Sequence, residues 1–311
     1  RRVQDEVLER LVAFSRAQID SGIVKYRPNA ADLDYPACIL RFGSDSGASS
    51  AVRRYQADWF PPLAKTLTIL SKTYRVLEPC AFESLAQEAV DACLVSLRSV
   101  SDSLKHRQGP ATRSSTLHFV DSQLFMVRSL LTLREQVAAF ECSAETKRTM
   151  EARSLPSARN ASIESELKQV CESFVVDLVA RIALPLSIID AGELRAIELN
   201  RLIDAIGRFS ANLRSSLPTV VSLIRLYLND EAAITGADAA CTESAGAVLV
   251  CPIQNRLLAF WHRWLERDPQ RHSVIKDVPY ASDLRSFIES LVSPPMSASF
   301  ADLAKTIAST Q

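Results

Sequence analysis

Several short stretches of this sequence hold residue types that could do chemistry. "GSDSG" (43–47) has the glycine spacing of a nucleophile elbow, the strained turn that lifts a serine out for acyl transfer. Asp45 stands where the serine is required and no strand-like run precedes it, so the stretch reads as a loop. The four histidines, at 106, 118, 262 and 272, share no HExxH or HxxxH spacing and have no cysteine pair beside them. A zinc site needs three or four converging ligands, so these read as surface or cap residues. Asp32, Asp34 and "NDEAA" (229–233) offer carboxylates for magnesium, but the first two lie in a proline-bounded segment. The third lacks the later hydroxyl and carboxylate ligands that a magnesium site would use. Asp34 reads instead as a local cap or turn former. No GxxxxGKS/T or GxGxxG run is present to cradle a phosphate. Phe260, Trp261 and Trp264 could stack a ligand, yet their i, i+1, i+4 spacing suits the core and rim of a helix. Trp59, beside Pro61 and Pro62, reads as a staple packing the start of a helix. No catalytic residue, metal ligand or cofactor-binding residue is predicted. The expectation is a protein that is not an enzyme, needing no cofactor.

The elements that would have positioned such residues are helical. The chain has 311 residues, enough for one large domain or two modest ones, with 47% hydrophobic and 23% charged residues. Glycine is scarce, at 8, and β-branched runs are few, which favours helix over sheet. Lys plus Arg and Asp plus Glu are 36 each, so the net charge is zero. No concentrated basic tract exists, which argues against nucleic acid as a partner and leaves close association with other proteins open. The seven cysteines form no CxxC and no regular spacing, and read as small core hydrophobes in a reducing compartment. Asp177 and Arg181 interrupt the best apolar run, at 174–189, so no transmembrane helix is expected. The chain opens on Arg1 in mid-pattern, as a piece of a longer protein would.

Apolar periodicity then divides the chain. Val3, Val7, Leu11 and Phe14 mark the tail of a first helix, "YRPNAADLDYP" (26–36) reads as an extended connection, and "RFGSDSGASS" (41–50) as a Gly/Ser loop. Asp58 is placed to cap a helix whose first turn holds Pro61 and Pro62. Leu63, Leu67, Leu70, Tyr74 and Leu77 give that helix one apolar stripe, and Pro79 interrupts it. Further helices are predicted over 81–104, over 117–140 through Val120, Leu124, Val127 and Leu131, and through Leu167 to Ile182 with a disturbance near Pro185. A long one runs from Leu202 to Leu228, bent at Pro218, another holds Ile253 to Trp264, and short ones lie near 282–292 and 299–308. The expected organisation is an end of helix, linker and loop at 1–52, a first helical bundle at 53–141, a linker at 142–162 and a second bundle at 163–311.

One surface stands out. At 100° per residue, the Leu63 to Leu77 stripe fills a sector of about 80°, and Lys65, Thr68, Lys72 and Arg75 lie almost opposite. Such a face is ordinarily a solvated one. Lys65, Lys72 and Arg75 are nonetheless the candidates to face a partner, by docking an acidic helix.

The phrases "VAFSRAQIDSGIVKYRPNAADLDYP" (12–36), "DWFPPLAKTLTILSKTYRVLEPCAFESLAQEAVDACLVSL" (58–97) and "DSQLFMVRSLLTLREQVAAF" (121–140) occur in an order that resembles subunit 3 of the conserved oligomeric Golgi complex, a vesicle tether. "LRSSLPTVVSLIRLYLND" (213–230) and "LVCPIQNRLLAFWHRWL" (249–265) resemble its distal part, while 142–200 and the chain after 266 do so weakly. The loops at 43–50 and 231–247 fit the family least and read as insertions. The resemblance implies an all-α, elongated rod of stacked helical bundles at the cytosolic face of the Golgi, peripheral to the membrane, preceded by a coiled-coil region. It implies retrograde intra-Golgi vesicle transport, with sister subunits, SNAREs, small GTPases and vesicle coat proteins as partners. It implies no catalytic residues. Two other readings stand beside it: a different helical scaffold, exocyst-like or an α-solenoid adaptor, and an all-α enzyme with a dispersed site. The lack of a repeat of roughly 34 to 47 residues weighs against the solenoid, and the failed catalytic templates against the enzyme.

Overall fold

The computed structural model describes residues 2–39, 59–106, 115–145, 158–190, 199–228, 245–266 and 284–292. Among them every regular element is helical and no strand occurs, so the all-α expectation holds. Helix α1 (Arg2–Ile19) runs on into a π-helical turn, Asp20–Val24. There follow α2 (Pro61–Thr73), α3 (Pro79–Lys105), α4 (Ser115–Glu145), α5 (Ala158–Ile182), α6 (Leu184–Asp190), α7 (Leu199–Leu228), α8 (Ala245–Glu266) and α9 (Leu284–Val292). They form two compact units, one of residues 1–107 with 121–170, the other of 108–120 with 171–311. Most of the predicted linker (142–162), the whole loop at 43–50, the loop at 231–247 save its last three residues, and the helix predicted at 299–308 lie outside the described residues.

In the first unit, α1, the π-helical turn, α2 and α3 pack on one another. Proline sets both helix starts. Phe60 is the N-cap of α2, its extended backbone leading into Pro61 and Pro62, and Glu78 does the same before Pro79 in α3. Proline costs nothing in a first turn, where its missing N–H would find no helical partner. Asp58 lies outside the described residues, and the cap position belongs to Phe60. Phe60 is also the packing residue at this point: it is 3% exposed and meets Tyr26 and Phe125 edge-on, whereas Trp59 is only half-buried. The backbone turns between α2 and α3 through Val76 and Leu77 N–H groups donating to the Thr73 carbonyl, giving a tight helical hairpin.

The helix foreseen over 81–104 buries one stripe at every position, from Phe82 through Leu85, Ala89, Cys93, Leu97 and Val100 to Leu104. On α2, Leu63, Leu67 and Leu70 are buried as expected, but so are Thr66, Ile69 and Thr73. The buried arc is therefore about 160°, twice the leucine stripe. Threonine can enter it because each hydroxyl donates to the carbonyl one turn back, Thr66 to Pro62 and Thr73 to Ile69, both at 2.8 Å.

Two expectations are corrected here. Segment 26–36 is a series of turns, not an extended connection. Asn29 N–H donates to Asp32 Oδ2 while Asp32 N–H donates to Asn29 Oδ1, each at 2.9 Å, and the Tyr26 hydroxyl donates to the same carboxylate. These reciprocal side-chain bonds fold the backbone locally, and the segment closes on Tyr35, buried beside a cis Pro36 and edge-on to Phe125. Helix α4 also departs from the one-sided stripe, since residues 119–127 are buried without interruption. That run includes Asp121, Ser122 and Gln123, and Ser101 of α3 meets the Ser122 hydroxyl at 3.3 Å.

In the second unit α7 is the hub, packed by α6, α8 and α9. Leu202, Ile206, Phe209, Leu213, Leu217, Val220 and Ile224 form its buried face, and the helix is continuous through Pro218. Trp261 and Trp264 belong to this core, at 3% and 1% exposed, in a stack with Phe209. Ala183 separates α5 from α6, one residue before the helix that contains Pro185.

Candidate interaction surface

Among the described residues no group of three or more His, Cys, Asp or Glu side chains converges as a metal site would require. No described helix is long and apolar enough to cross a membrane. The cysteines are not uniformly core residues: Cys93 is fully buried, Cys38 and Cys171 are half-buried, and Cys80 and Cys251 are exposed. Cys80 sits in the first turn of α3 beside exposed Pro79 and Ala81, and Cys251 lies in the first half of α8. Burial pushes the Cys93 thiol up to about 12, against a smaller opposite pull from the Thr66 hydroxyl bonded to it.

What the surface does offer is the polar side of α2. Its three predicted partner-facing residues do not share one environment. Lys65 is half-buried, and its ammonium donates to Gln18 Oε1 of α1 at 2.6 Å. Its methylenes lie over Gly22 in the π-helical turn, where an added Cβ would come within 3.1 Å of Lys65 Cε. Lys72 and Arg75 are exposed and make no ion pair among the described residues. Lys72 stands in the last turn of α2, where a cation complements the partial negative charge of the helix end. Thr68 between them is exposed, its hydroxyl spent on the Ala64 carbonyl.

A second feature went unnoticed in the sequence. The residues that announce α1, Val3, Val7 and Phe14, are 74%, 58% and 62% exposed. The helix is held by a different side, through Ser15 and Ile19, and by Arg16, which donates to Glu88 of α3 at 2.9 Å. The periodicity was readable as helix, but it marks a free apolar face.

The family described as "Conserved oligomeric Golgi complex subunit 3, C-terminal" matches residues 1–152. Over those residues, just under half of its length, the chain is similar to the subunit 3 family. Conserved oligomeric Golgi complex subunit 3 of Dictyostelium discoideum is 39% identical over 154 residues, 45% of this chain and 16% of that protein. The Mus musculus subunit 3 is 28% identical over 197 residues, 48% of this chain and 23% of that protein, and the Saccharomyces cerevisiae subunit 3 is 36% identical over 83 residues, 26% of this chain and 10% of that protein. The matched stretches thus span less than a quarter of these relatives. No solved structure matches the chain. The family's match holds α1, α2, α3 and α4, with Lys65, Lys72 and Arg75 and the exposed face of α1. The resembling phrases at 213–230 and 249–265 lie beyond it.

Proposed function

We propose that this chain is part of a non-enzymatic subunit of a Golgi vesicle-tethering complex, one that works by presenting helical surfaces to other proteins. The observation that carries this is the family match over residues 1–152. Helices that bury one face and leave charged and apolar stripes free suit such a role. Sister subunits of the complex are the first partners in this reading, and SNAREs, small GTPases and vesicle coat proteins the next. Its place is the cytosolic face of the Golgi, peripheral to the membrane, in retrograde intra-Golgi transport. Within the first unit, Lys72 and Arg75 are the residues best placed to meet an acidic partner helix, with Lys65 completing the stripe from its bond to Gln18.

Affinity purification of the chain from its own cells, with identification of the co-purifying proteins, tests this. Other subunits of the oligomeric Golgi complex should be recovered. The Lys72→Glu, Arg75→Glu chain should recover less, more visibly at low salt, because exposed charges are screened within about 8 Å at physiological ionic strength. Recovery of none of these subunits by the unaltered chain sinks the tether reading. Full recovery by the folded double variant removes the basic stripe from it.

A further inference from the structure

The second unit has a cleft lined by both polar and apolar side chains. Four residues of α7, Asn212, Ser215, Ser216 and Thr219, follow one another at i, i+3, i+4 and i+7 and line one wall. Thr116, in the first turn of α4, and Arg181, in the last turn of α5, face them, over a floor that includes Leu117 and Ile182. The guanidinium of Arg181 lies 4.5 Å from the centre of the Phe119 ring, and Phe119 is itself buried and stacked on Phe174. The aromatic platform holds the cation in place, so little freedom is lost when it takes a ligand. No carboxylate pairs with Arg181 among the described residues. Asp177, one turn earlier on α5, accepts instead from the Ser173 hydroxyl. Around the cation the hydroxyls of Ser215 and Thr219 are bonded within α7 and the Asn212 amide donates to the Ile182 carbonyl, while the Ser216 hydroxyl has no partner among the described residues.

We infer that this cleft takes a single carboxylate side chain, Asp or Glu, from a partner protein. Charge and size both select that ligand. One guanidinium balances one carboxylate, whereas a phosphoryl group of charge about −1.5 to −2 ordinarily recruits a cluster of cations. The cleft measures about 260 Å³, below the roughly 300 to 1,000 Å³ of sites that enclose drug-sized ligands or cofactors. It is a socket for one side chain of a chain lying across the surface, with Ser216 and its neighbours offering hydrogen bonds to the rest of that chain. The inference deepens the partner-binding reading and rests on it.

The test uses the whole chain on an array of short peptides in which one Glu is scanned through a neutral Ala/Ser background, beside matching arrays bearing Gln or phosphoserine. The chain should bind the Glu array, at least about tenfold more tightly than the Gln array, as the loss of one charge-assisted contact implies. Arg181→Gln should remove that preference. Ser216→Asp, which places a competing carboxylate in the cleft while leaving Arg181 on Phe119, should remove it as well and serves if Arg181→Gln disturbs the fold. Equal binding to the Gln array, preference for phosphoserine, absence of binding, or an undiminished preference in folded Arg181→Gln overturns the inference. None of these outcomes touches the tether reading, which stands or falls on co-purification of the sister subunits by the unaltered chain.

Discussion

Lys65 of α2 donates to Gln18 of α1 at 2.6 Å while its methylenes rest over Gly22. One side chain thereby ties three elements of the first unit, although its position on the helical wheel is that of a solvated cation. It sits next to Ile69 at the edge of the buried arc, which explains its half-burial. The basic stripe therefore divides into an internal tie and two free cations.

That division predicts different responses to mutation. Lys65→Met keeps the stem over Gly22 but loses the bond, and should lower stability by about 1 kcal/mol in urea unfolding. Lys72→Glu with Arg75→Glu should change it by no more than about 0.5 kcal/mol. Equal effects from the two variants would refute the distinction.

Leu70 is fully buried at the centre of the arc. Leu70→Ala should cost about 2 to 5 kcal/mol by leaving a cavity. Leu70→Asp, which must bury a carboxylate without a partner, should cost more and abolish cooperative unfolding. A cooperative melt of Leu70→Asp within a few degrees of the parent would contradict this placement.

Arg98 of α3 grips Glu166 of α5 with two bonds, Nε to Oε1 at 2.8 Å and Nη2 to Oε2 at 2.6 Å. The Glu166 side chain is 13% exposed and that of Arg98 52%. The bonds from Arg98 hold the Glu166 carboxyl below its ordinary 4.5, outweighing the opposite push of burial. A depressed carboxylate stabilises the fold above its unfolded pKa, and the contribution disappears as pH falls through the folded value. Stability should thus decline in acid from about pH 4.5 downward, and Glu166→Gln should remove part of that decline. The neutral-pH cost of the substitution should be about 1 kcal/mol, because half-exposed Arg98 is screened by solvent. Identical pH profiles for parent and variant would show that this pair does not contribute.

The seven-residue stripe of α3 and the leucines of α2 were legible because helical burial leaves a 3.6-residue period in the sequence. Thr66 and Thr73 widened the arc without leaving that trace, since a threonine that bonds its own helix looks polar in sequence and apolar in the fold. The turns at 26–36 depend on Asn29 and Asp32 exchanging bonds, and the bounding prolines suggested an extended path instead. Phe14 and its neighbours showed the opposite limit, for periodicity reports a face and not what covers it. The cleft around Arg181 joins positions far apart in the chain. Only its α7 wall had a local signal, in the spacing of Asn212, Ser215, Ser216 and Thr219.

Thiol chemistry should follow burial. The Cys93 thiol, near 12, is almost wholly protonated at pH 8 and enclosed as well. Alkylation of the native chain followed by peptide mapping should label Cys80 and Cys251 rapidly and leave Cys93 unlabelled until denaturant is added. Labelling of Cys93 at the rate of Cys80 in the native protein would be inconsistent with its place between α2 and α3.

The exposed face of α1 makes the last prediction. Val3, Val7 and Phe14 fall within about 40° of one another around the helix, and all three are more than half exposed. Half-buried Leu11 lies at the edge of the same sector. Soluble proteins seldom leave such a stripe uncovered, because apolar area is favourably removed from water by any matching surface. In the isolated chain the readiest matching surface is a second copy of the same helix, and the net charge of zero gives little repulsion against that encounter. Sedimentation should therefore show an average mass that rises with concentration. Val7→Lys with Phe14→Lys should hold the chain monomeric across the same range, and stability should stay within about 0.5 kcal/mol of the parent, since neither residue is part of the core. A parent chain that remains monomeric throughout, or a double variant that associates as strongly as the parent, would mean that the stripe on α1 is inert in solution.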